Sequence, residues 1–357
     1  MFQTVWVIIG CLIGAGFASG KEIYLFFYQY GEIGILGIGI AAFLFFYVML
    51  KCFRVIDWKK NQNKEIRNYK EFLQEIFPSK NRKIIDGLNS FINLFILIEF
   101  FIMVSGFGAY MNQEFQIPTF IGASIISFCT YITCKRSMKG IEKANQIVIP
   151  LLILCMIHMG VKNVDNGMQF SGFFGNSLGE NSNFIQMVIY AILYASYNCI
   201  LLIPVLIGLK KDKEKNRNFR VALLSAWLVA ILAVCIFRIL SIGTIEDYQN
   251  DIPVVRIARY YGSWYPTIYG LMIGISIYTS AIAICFSLLE NLPVLQGKSY
   301  NLVLKIVCIS SVFVSFIGFS NLVEKLYPLL GVFGIVQIVN LIRYKCKETI
   351  EKKAKIV

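Results

Sequence analysis

The residues in this chain most able to do chemistry lie inside its apolar stretches. Near the N-terminus runs Gly10-Cys11-Leu12-Ile13-Gly14-Ala15-Gly16-Phe17-Ala18-Ser19-Gly20, followed at once by Lys21 and Glu22. Each of its glycines costs a helix interior about 1 kcal/mol relative to alanine. Two readings fit. The small residues let another helix approach closely, or the helix is broken at Gly14–Gly16 and its freed amides and carbonyls line a ligand site. Glu99, in Leu97-Ile98-Glu99-Phe100-Phe101, is an acid in an apolar run. Buried without a partner it costs several kcal/mol, which marks it as a functional candidate that carries a coupling proton or binds a substrate amine. Two hydroxyl-rich clusters lie at similar depth, Leu193-Tyr194-Ala195-Ser196-Tyr197-Asn198-Cys199 and Ser276-Ile277-Tyr278-Thr279-Ser280. Adjacent hydroxyls suit a sodium ion, which takes oxygen ligands; they also bond to carbonyls of their own helix. Lys21 and Glu22 pair with each other or belong to an outer gate, and Arg238 snorkels.

Enzyme signatures are missing: there is no P-loop, no G-x-S-x-G, no H-E-x-x-H and no carboxylate cluster. The ten cysteines are scattered without a C-x-x-C pair, and read as small packing residues. His158 is the single histidine, which leaves no His-based metal site. No enzyme and no resident cofactor are expected.

The elements that must position these residues are membrane helices. Hydrophobic residues make up 57% of the chain and charged residues 15%, and the mean hydropathy is +0.65. A soluble domain carries roughly 25% charged residues, so lipid must cover what polar surface cannot. Stretches able to span a bilayer fall at 4–28, 33–56, 84–111, 117–134, 144–163, 184–209, 219–243, 265–290, 301–319 and 322–343. The first of these is read as a membrane helix, since it lacks the basic start and the small-residue cleavage site of a signal peptide. The net charge of +13 comes largely from Lys and Arg in alternate connections and the tail. It therefore orients the chain, with both termini cytoplasmic, rather than binding nucleic acid. The 57–83 segment is expected to lie as an amphipathic helix on the cytoplasmic membrane surface, and 344–357 is a basic cytoplasmic tail. On the opposite side, the connections from Lys162 to Asn183 and from Ile245 to Trp264 are either gates over the site or inert connectors. Ten spans divide into 1–163 and 184–343, a first five-helix repeat and a second that is inverted. A faint echo, Ile149-Pro150-Leu151-Leu152 against Tyr327-Pro328-Leu329-Leu330, accompanies that division.

The run Gly14-Ala15-Gly16-Phe17-Ala18-Ser19-Gly20-Lys21-Glu22-Ile23, then Phe26-Phe27 and Tyr30-Gly31, resembles the opening of the YkvI family of bacterial membrane proteins, with Lys21 where that family usually has Gln. Ser105 to Ala109, Tyr194 to Asn198 and Tyr278-Thr279 extend the resemblance over nearly the whole chain. It implies kinship with the amino acid–polyamine–organocation superfamily. The implied fold is all-α and LeuT-type: ten transmembrane helices in a 5+5 inverted repeat, with the first and sixth helices broken. It further implies a secondary transporter in the bacterial cell membrane, working by sodium-coupled symport. The sodium ion would sit on the carbonyls of Gly10 and Ile13 and the hydroxyls of Thr279 and Ser280. The solute would meet the backbone of Gly14, Ala15 and Gly16 together with Phe17, Tyr197 and Asn198. Amides at a half-helix N-terminus favour a carboxylate, so an amino acid or related small solute is the expected cargo. No lysine lies between Ala144 and Val161 to replace the sodium, whereas Glu99 favours a proton. A channel finds no charged ring or filter-like sequence. A membrane sensor or scaffold on the same fold is the other alternative.

Overall fold

Where water is absent, a chain must satisfy its backbone polar groups internally, and apolar runs of this length do so as helices. The computed structural model describes residues 2–64, 66, 68–77, 82–136, 141–162, 181–209, 215–292 and 298–344. It is all-helical, with no strand among the described residues. Most of the 162–183 connection and the tail beyond Tyr344 lie outside them. In chain order the helices are α1 (Phe2–Leu12), α2 (Ala15–Ser19), α3 (Lys21–Phe26), α4 (Gly34–Asn61), α5 (Tyr69–Ile76), α6 (Arg82–Phe115), α7 (Thr119–Arg136) and α8 (Ile141–Lys162). They continue as α9 (Asn181–Gly208), α10 (Lys215–Leu240), α11 (Ile245–Gln249), α12 (Pro253–Ile257), α13 (Tyr265–Asn291), α14 (Lys298–Val314) and α15 (Phe319–Arg343).

Among the described residues, seven helices are long and apolar enough to cross a membrane, and 119–135 and 148–162 form shorter apolar helices. The remaining apolar segment is the interrupted stretch α1–α3. Large hydrophobic side chains face outward, among them Phe43, Phe128, Trp227, Phe313 and Phe316, each more than 60% exposed. Ser19, Glu22, Glu99, Ser105, Ser196 and Asn198 are buried. Apolar outside and polar inside is the inverse of a soluble protein and matches a multi-pass membrane protein. Inside the bundle α15 packs along α9, α13 along α6, and α4 along α9.

The first span is broken as its glycines suggest; the sixth is not. Helix α9 runs without interruption from Asn181 to Gly208, which corrects the expectation of a second break. No glycine occurs within it before Gly208. Its polar groups are satisfied along its own axis, the Ser196 hydroxyl donating to Ile192 O at 2.6 Å and Asn198 Nδ2 to Tyr194 O at 3.0 Å.

The amphipathic segment also lies elsewhere than expected. The apolar face of α5 (Tyr69, Phe72, Leu73 and Ile76) is buried against protein rather than laid on lipid. Gln337 of α15 donates to the Tyr69 hydroxyl, and Tyr344 donates to Glu75. The polar edge is tied down by Lys59–Glu75 at 2.5 Å and Lys70–Asp86 at 2.5 Å. An amphipathic stripe has the same periodicity whether it meets a bilayer or the underside of a bundle. Here the bundle takes it.

Candidate functional site

The break in the first span falls at Ile13 and Gly14, between α1 and α2. Helix α2 is a single turn of five residues and ends at Gly20, whose φ of +83° is left-handed backbone that glycine adopts without steric cost. Val254 of α12 closes over Gly20, where a Cβ would meet its Cγ2 at 2.5 Å. Its C-terminal end is held by a side chain: Tyr269 of α13 donates to Ala18 O at 2.7 Å. Glu22 lies over the bare face of Gly16. A helix this short has little macrodipole, and the chain's own carboxylate lies beside the α2 backbone where an anionic solute was expected.

Gly16 makes that arrangement possible. A Cβ at this position would fall 2.2 Å from Glu22 Oε1 and 2.8 Å from Glu22 Cδ. The Glu22 side chain thus folds back across the bare backbone of α2. Its other oxygen accepts from the Tyr197 hydroxyl of α9 at 2.6 Å. The Tyr197 ring stacks on Tyr327 of α15, centroids 4.5 Å apart and planes at 19°, and the Tyr327 hydroxyl donates to Glu99 Oε2 at 3.4 Å. Two carboxylates are thereby linked through two stacked tyrosines, and all four residues are at most 3% exposed. Glu99 Oε1 has no hydrogen-bond partner. Its helix face points at the break: Met103, one turn on, would meet a Cβ on Gly14 at 3.1 Å, and Gly106, a further turn on, would meet Ala15 at 3.4 Å.

The candidate residues are thus brought together in part. Gly14, Ala15, Gly16, Phe17, Tyr197, Glu22 and Glu99 converge. Asn198 does not offer its amide, which is bonded to its own helix. Gly10 lies in the last turn of α1 and Ile13 just beyond its end, and the Ile13 amide is bonded to Ile9 O at 2.9 Å. Thr279 turns its hydroxyl onto Ile275 O and Ser276 O, both at 3.0 Å, while Ser280 is partly buried on the same helix. No group of three or more His, Cys, Asp or Glu among the described residues is placed to hold a metal ion. Tyr327 and Phe26 escaped the sequence reading. Tyr327 stood only in the repeat echo, and its aromatic neighbours are distant in sequence.

Lys21 and Glu22 do not pair. The Lys21 ammonium lies 3.3 Å from Glu324 of α15 and donates to Tyr248 O of α11 at 3.2 Å. The 241–264 connection that supplies Tyr248 is a folded cover rather than an inert connector. Gln113 of α6 makes two bonds to the Ile252 backbone, each 3.1 Å, and Asp251 accepts from the Ser320 amide at 3.1 Å. Within it Asp247 caps α11, accepting from Thr244 N at 2.9 Å and from Tyr260 at 3.0 Å, with Arg256 at 3.6 Å. Burial alone would raise the Asp247 carboxyl, but the Thr244, Tyr260 and Arg256 contacts outweigh it and hold it below the usual carboxylate range. A depressed folded value gives stability that is present above the ordinary aspartate range and lost as pH falls through the lowered value. Thermal stability followed from pH 6 to pH 3 should accordingly fall less steeply for Asp247→Asn than for the parent. Parallel curves would show that this cap contributes nothing.

No family model matches the chain. It is 26% identical to the uncharacterized membrane protein YkvI of Bacillus subtilis (strain 168), over 99% of this chain and 97% of that protein. It is 23% identical to the uncharacterized protein YyaD of the same organism, over 95% of each. Its helices superpose on the Eremococcus coleocola manganese transporter solved with an aromatic bis-isothiourea substituted compound. The TM-score there is 0.62 and the identity 15%, with 94% of this chain and 77% of that one covered. They also superpose on MhsT in complex with L-phenylalanine, at TM-score 0.54 and 14% identity, over 95% and 94% of the two chains. The resemblance to YkvI read from the N-terminal motif thus extends along the whole chain, and the fold is that of LeuT-type transporters.

Proposed function

We propose that this protein is a secondary active transporter that moves a small organic solute across the membrane by alternating access around the α1–α2 break. Seven long apolar helices, two shorter ones and the interrupted first segment support a count of ten spans. The alternation of basic connections supports a 5+5 inverted arrangement in the bacterial cell membrane with both termini cytoplasmic. The observation that carries the reading is the buried break itself, faced by Glu22 from one side and Glu99 from the other. Unwound backbone and ionisable groups at membrane depth serve a solute or ion pathway, since their cost is otherwise uncompensated.

The fold similarity to MhsT, solved with L-phenylalanine, supports an amino acid or related amine as cargo. Coupling is assigned to protons through Glu99, whose Oε1 has no partner. Sodium coupling through Gly10, Ile13, Thr279 and Ser280 is the alternative: the Thr279 hydroxyl donates its hydrogen to its own helix, which leaves its oxygen lone pairs able to meet an ion. Reconstituted into proteoliposomes, the protein should accumulate solute under an imposed pH gradient in the absence of sodium. Glu99→Gln should remove that accumulation. Uptake that follows sodium, is insensitive to pH and is lost in Thr279→Ala/Ser280→Ala would reverse the coupling assignment. Specific ligand binding without flux would make the protein a sensor on a transporter fold.

A further inference from the structure

A site built for the carboxylate of its cargo would leave a hydrogen-bond donor open at the helix break. This one fills the place beside Gly16 with Glu22. Once one of the two acids has given up its proton to pair with an ammonium ion, a carboxylate carried by the same solute would meet like charge there, at a cost of several kcal/mol when both are desolvated. Glu99, with one oxygen unpartnered and 1% exposure, repeats that sign from the opposite helix. The walls between them are aromatic. Phe26 packs on Tyr194 and Tyr197 with centroids 5.4 and 5.6 Å away, and Tyr197 stacks on Tyr327. Carboxylates set among ring faces recognise an organic ammonium ion, whose N–H groups bond to the acids while its charge rests on the rings.

A cleft lies on the same side of the bundle, separated from the site by packed aromatic rings. It measures about 630 Å³ and is lined by Gln29, Tyr30, Asn183, Gln186, Ile189 and Tyr190. Tyr190 packs on Tyr30 at 5.7 Å and on Phe26 at 5.8 Å. Tyr190, Tyr194 and Tyr197 follow one face of α9 inward, at spacings of four and three residues. These rings are packed against one another between the cleft and Glu22, so the way in is closed in this structure and opens only when they separate.

We propose that Glu22 and Glu99 are two halves of one cation site, which binds the ammonium group of a small amine lacking a carboxylate and exchanges that amine for a proton. This rests on the transporter reading above and deepens it. The titratable groups facing the two acids are Tyr194 and Tyr197 from α9, Tyr327 from α15 and Cys11 from α1. Lys21, adjacent in sequence, is bonded to Glu324 and Tyr248, so no lysine ammonium from α3 neutralises the pair. The charge balance then dictates the stoichiometry. With both acids protonated the empty site is neutral. A monovalent ammonium ion keeps it neutral when one carboxylic acid gives its proton to solvent and its carboxylate pairs with the ion. One cation enters and one proton leaves, so the exchange is electroneutral.

The probes are phenethylamine and L-phenylalanine, which differ by one carboxylate. Binding to the purified full-length protein is measured by calorimetry from pH 6 to pH 8 in buffers of different ionisation enthalpy. Phenethylamine is expected to bind with release of about one proton and to tighten about tenfold per pH unit, as linkage requires. L-phenylalanine should bind at least about tenfold more weakly. Glu22→Gln/Glu99→Gln should lose phenethylamine binding, and the pH slope of the unaltered protein stands even where that variant does not fold. Affinity independent of pH, no proton release, or tighter binding of L-phenylalanine would each overturn the proposal. The two readings fail separately. Amine binding with proton release but no flux in proteoliposomes would sink the transport reading and leave this site intact, whereas pH-driven uptake of L-phenylalanine without amine binding would do the reverse.

Discussion

Gly16→Ala is expected to abolish solute uptake while leaving a folded protein. The added Cβ would lie 2.2 Å from Glu22 Oε1 and 2.8 Å from both Cδ and Cγ, distances that no side chain tolerates. What must move is the Glu22 side chain, because the alternative is to displace a turn of helix held by Tyr269 and covered by Val254. Moving Glu22 breaks its bond to Tyr197 and leaves a buried hydroxyl unpaired, at about 1–3 kcal/mol. Against that, alanine improves helix propensity by about 1 kcal/mol, so net destabilisation stays modest. Misplacing a positioned group by about 1 Å costs on the order of 100-fold in rate where geometry is demanding, and uptake should drop by that order. Initial rates in proteoliposomes, with thermal unfolding of the same preparation as the control, check this. Gly16→Ala/Glu22→Ala removes the overlap and should regain thermal stability without regaining uptake. Normal uptake by Gly16→Ala would show that Glu22 has no positional role.

The second large effect is expected at Gly334, where α15 crosses α9. A Cβ there would sit 2.3 Å from Ser196 O and 2.5 Å from Ser196 C. These are backbone atoms of an unbroken helix, and they cannot rotate away. Gly334→Ala must push α9 and α15 apart, at the 1–3 kcal/mol typical of overpacking and toward the upper end, ~3 kcal/mol, because backbone is involved. The same two helices carry Tyr197 and Tyr327, whose rings stack at 4.5 Å, so the loosened crossing also separates the two acids' partners. Both the unfolding temperature in detergent and uptake should fall. A variant as stable as the parent would mean that the crossing adapts by sliding, and would remove the link between this contact and the site.

Much of this architecture is legible in the sequence. Apolar content and the alternation of basic connections marked the spans, and the local cost of Gly10, Gly14 and Gly16 marked the broken one. Glu99 stood out because an acid in an apolar run needs a reason. The arrangement at the break was not legible, for Glu22 follows Lys21 directly and read as its ion-pair partner or as part of an outer gate. Only the left-handed turn at Gly20 and the bare face of Gly16 carry its carboxylate inward. Tyr327 lay hidden for a similar reason: its role exists only where α15 meets α9, and no local pattern records that crossing. The expected break in α9 failed because it came from the symmetry that the resemblance implies and not from any local signal. Ser196 and Asn198 bond to the carbonyls four residues before them. The fate of α5 was undetermined for want of a partner, since one stripe fits two apolar surfaces equally well.

Lys21 and Glu22 are consecutive residues on a six-residue helix with a glycine pivot in front of it, and they face opposite tasks. One holds the lid through Glu324 and Tyr248; the other reaches the heart of the bundle through Tyr197. A rigid short lever of this kind ties the fastening of the lid to the state of the interior. Reorientation without cargo would have to tear the lysine from its two partners with nothing gained at the other end. In the proposed transport cycle such a lever would act as a brake on idle cycling and favour thrift over speed: few futile turnovers, at the expense of a slower return of the empty carrier.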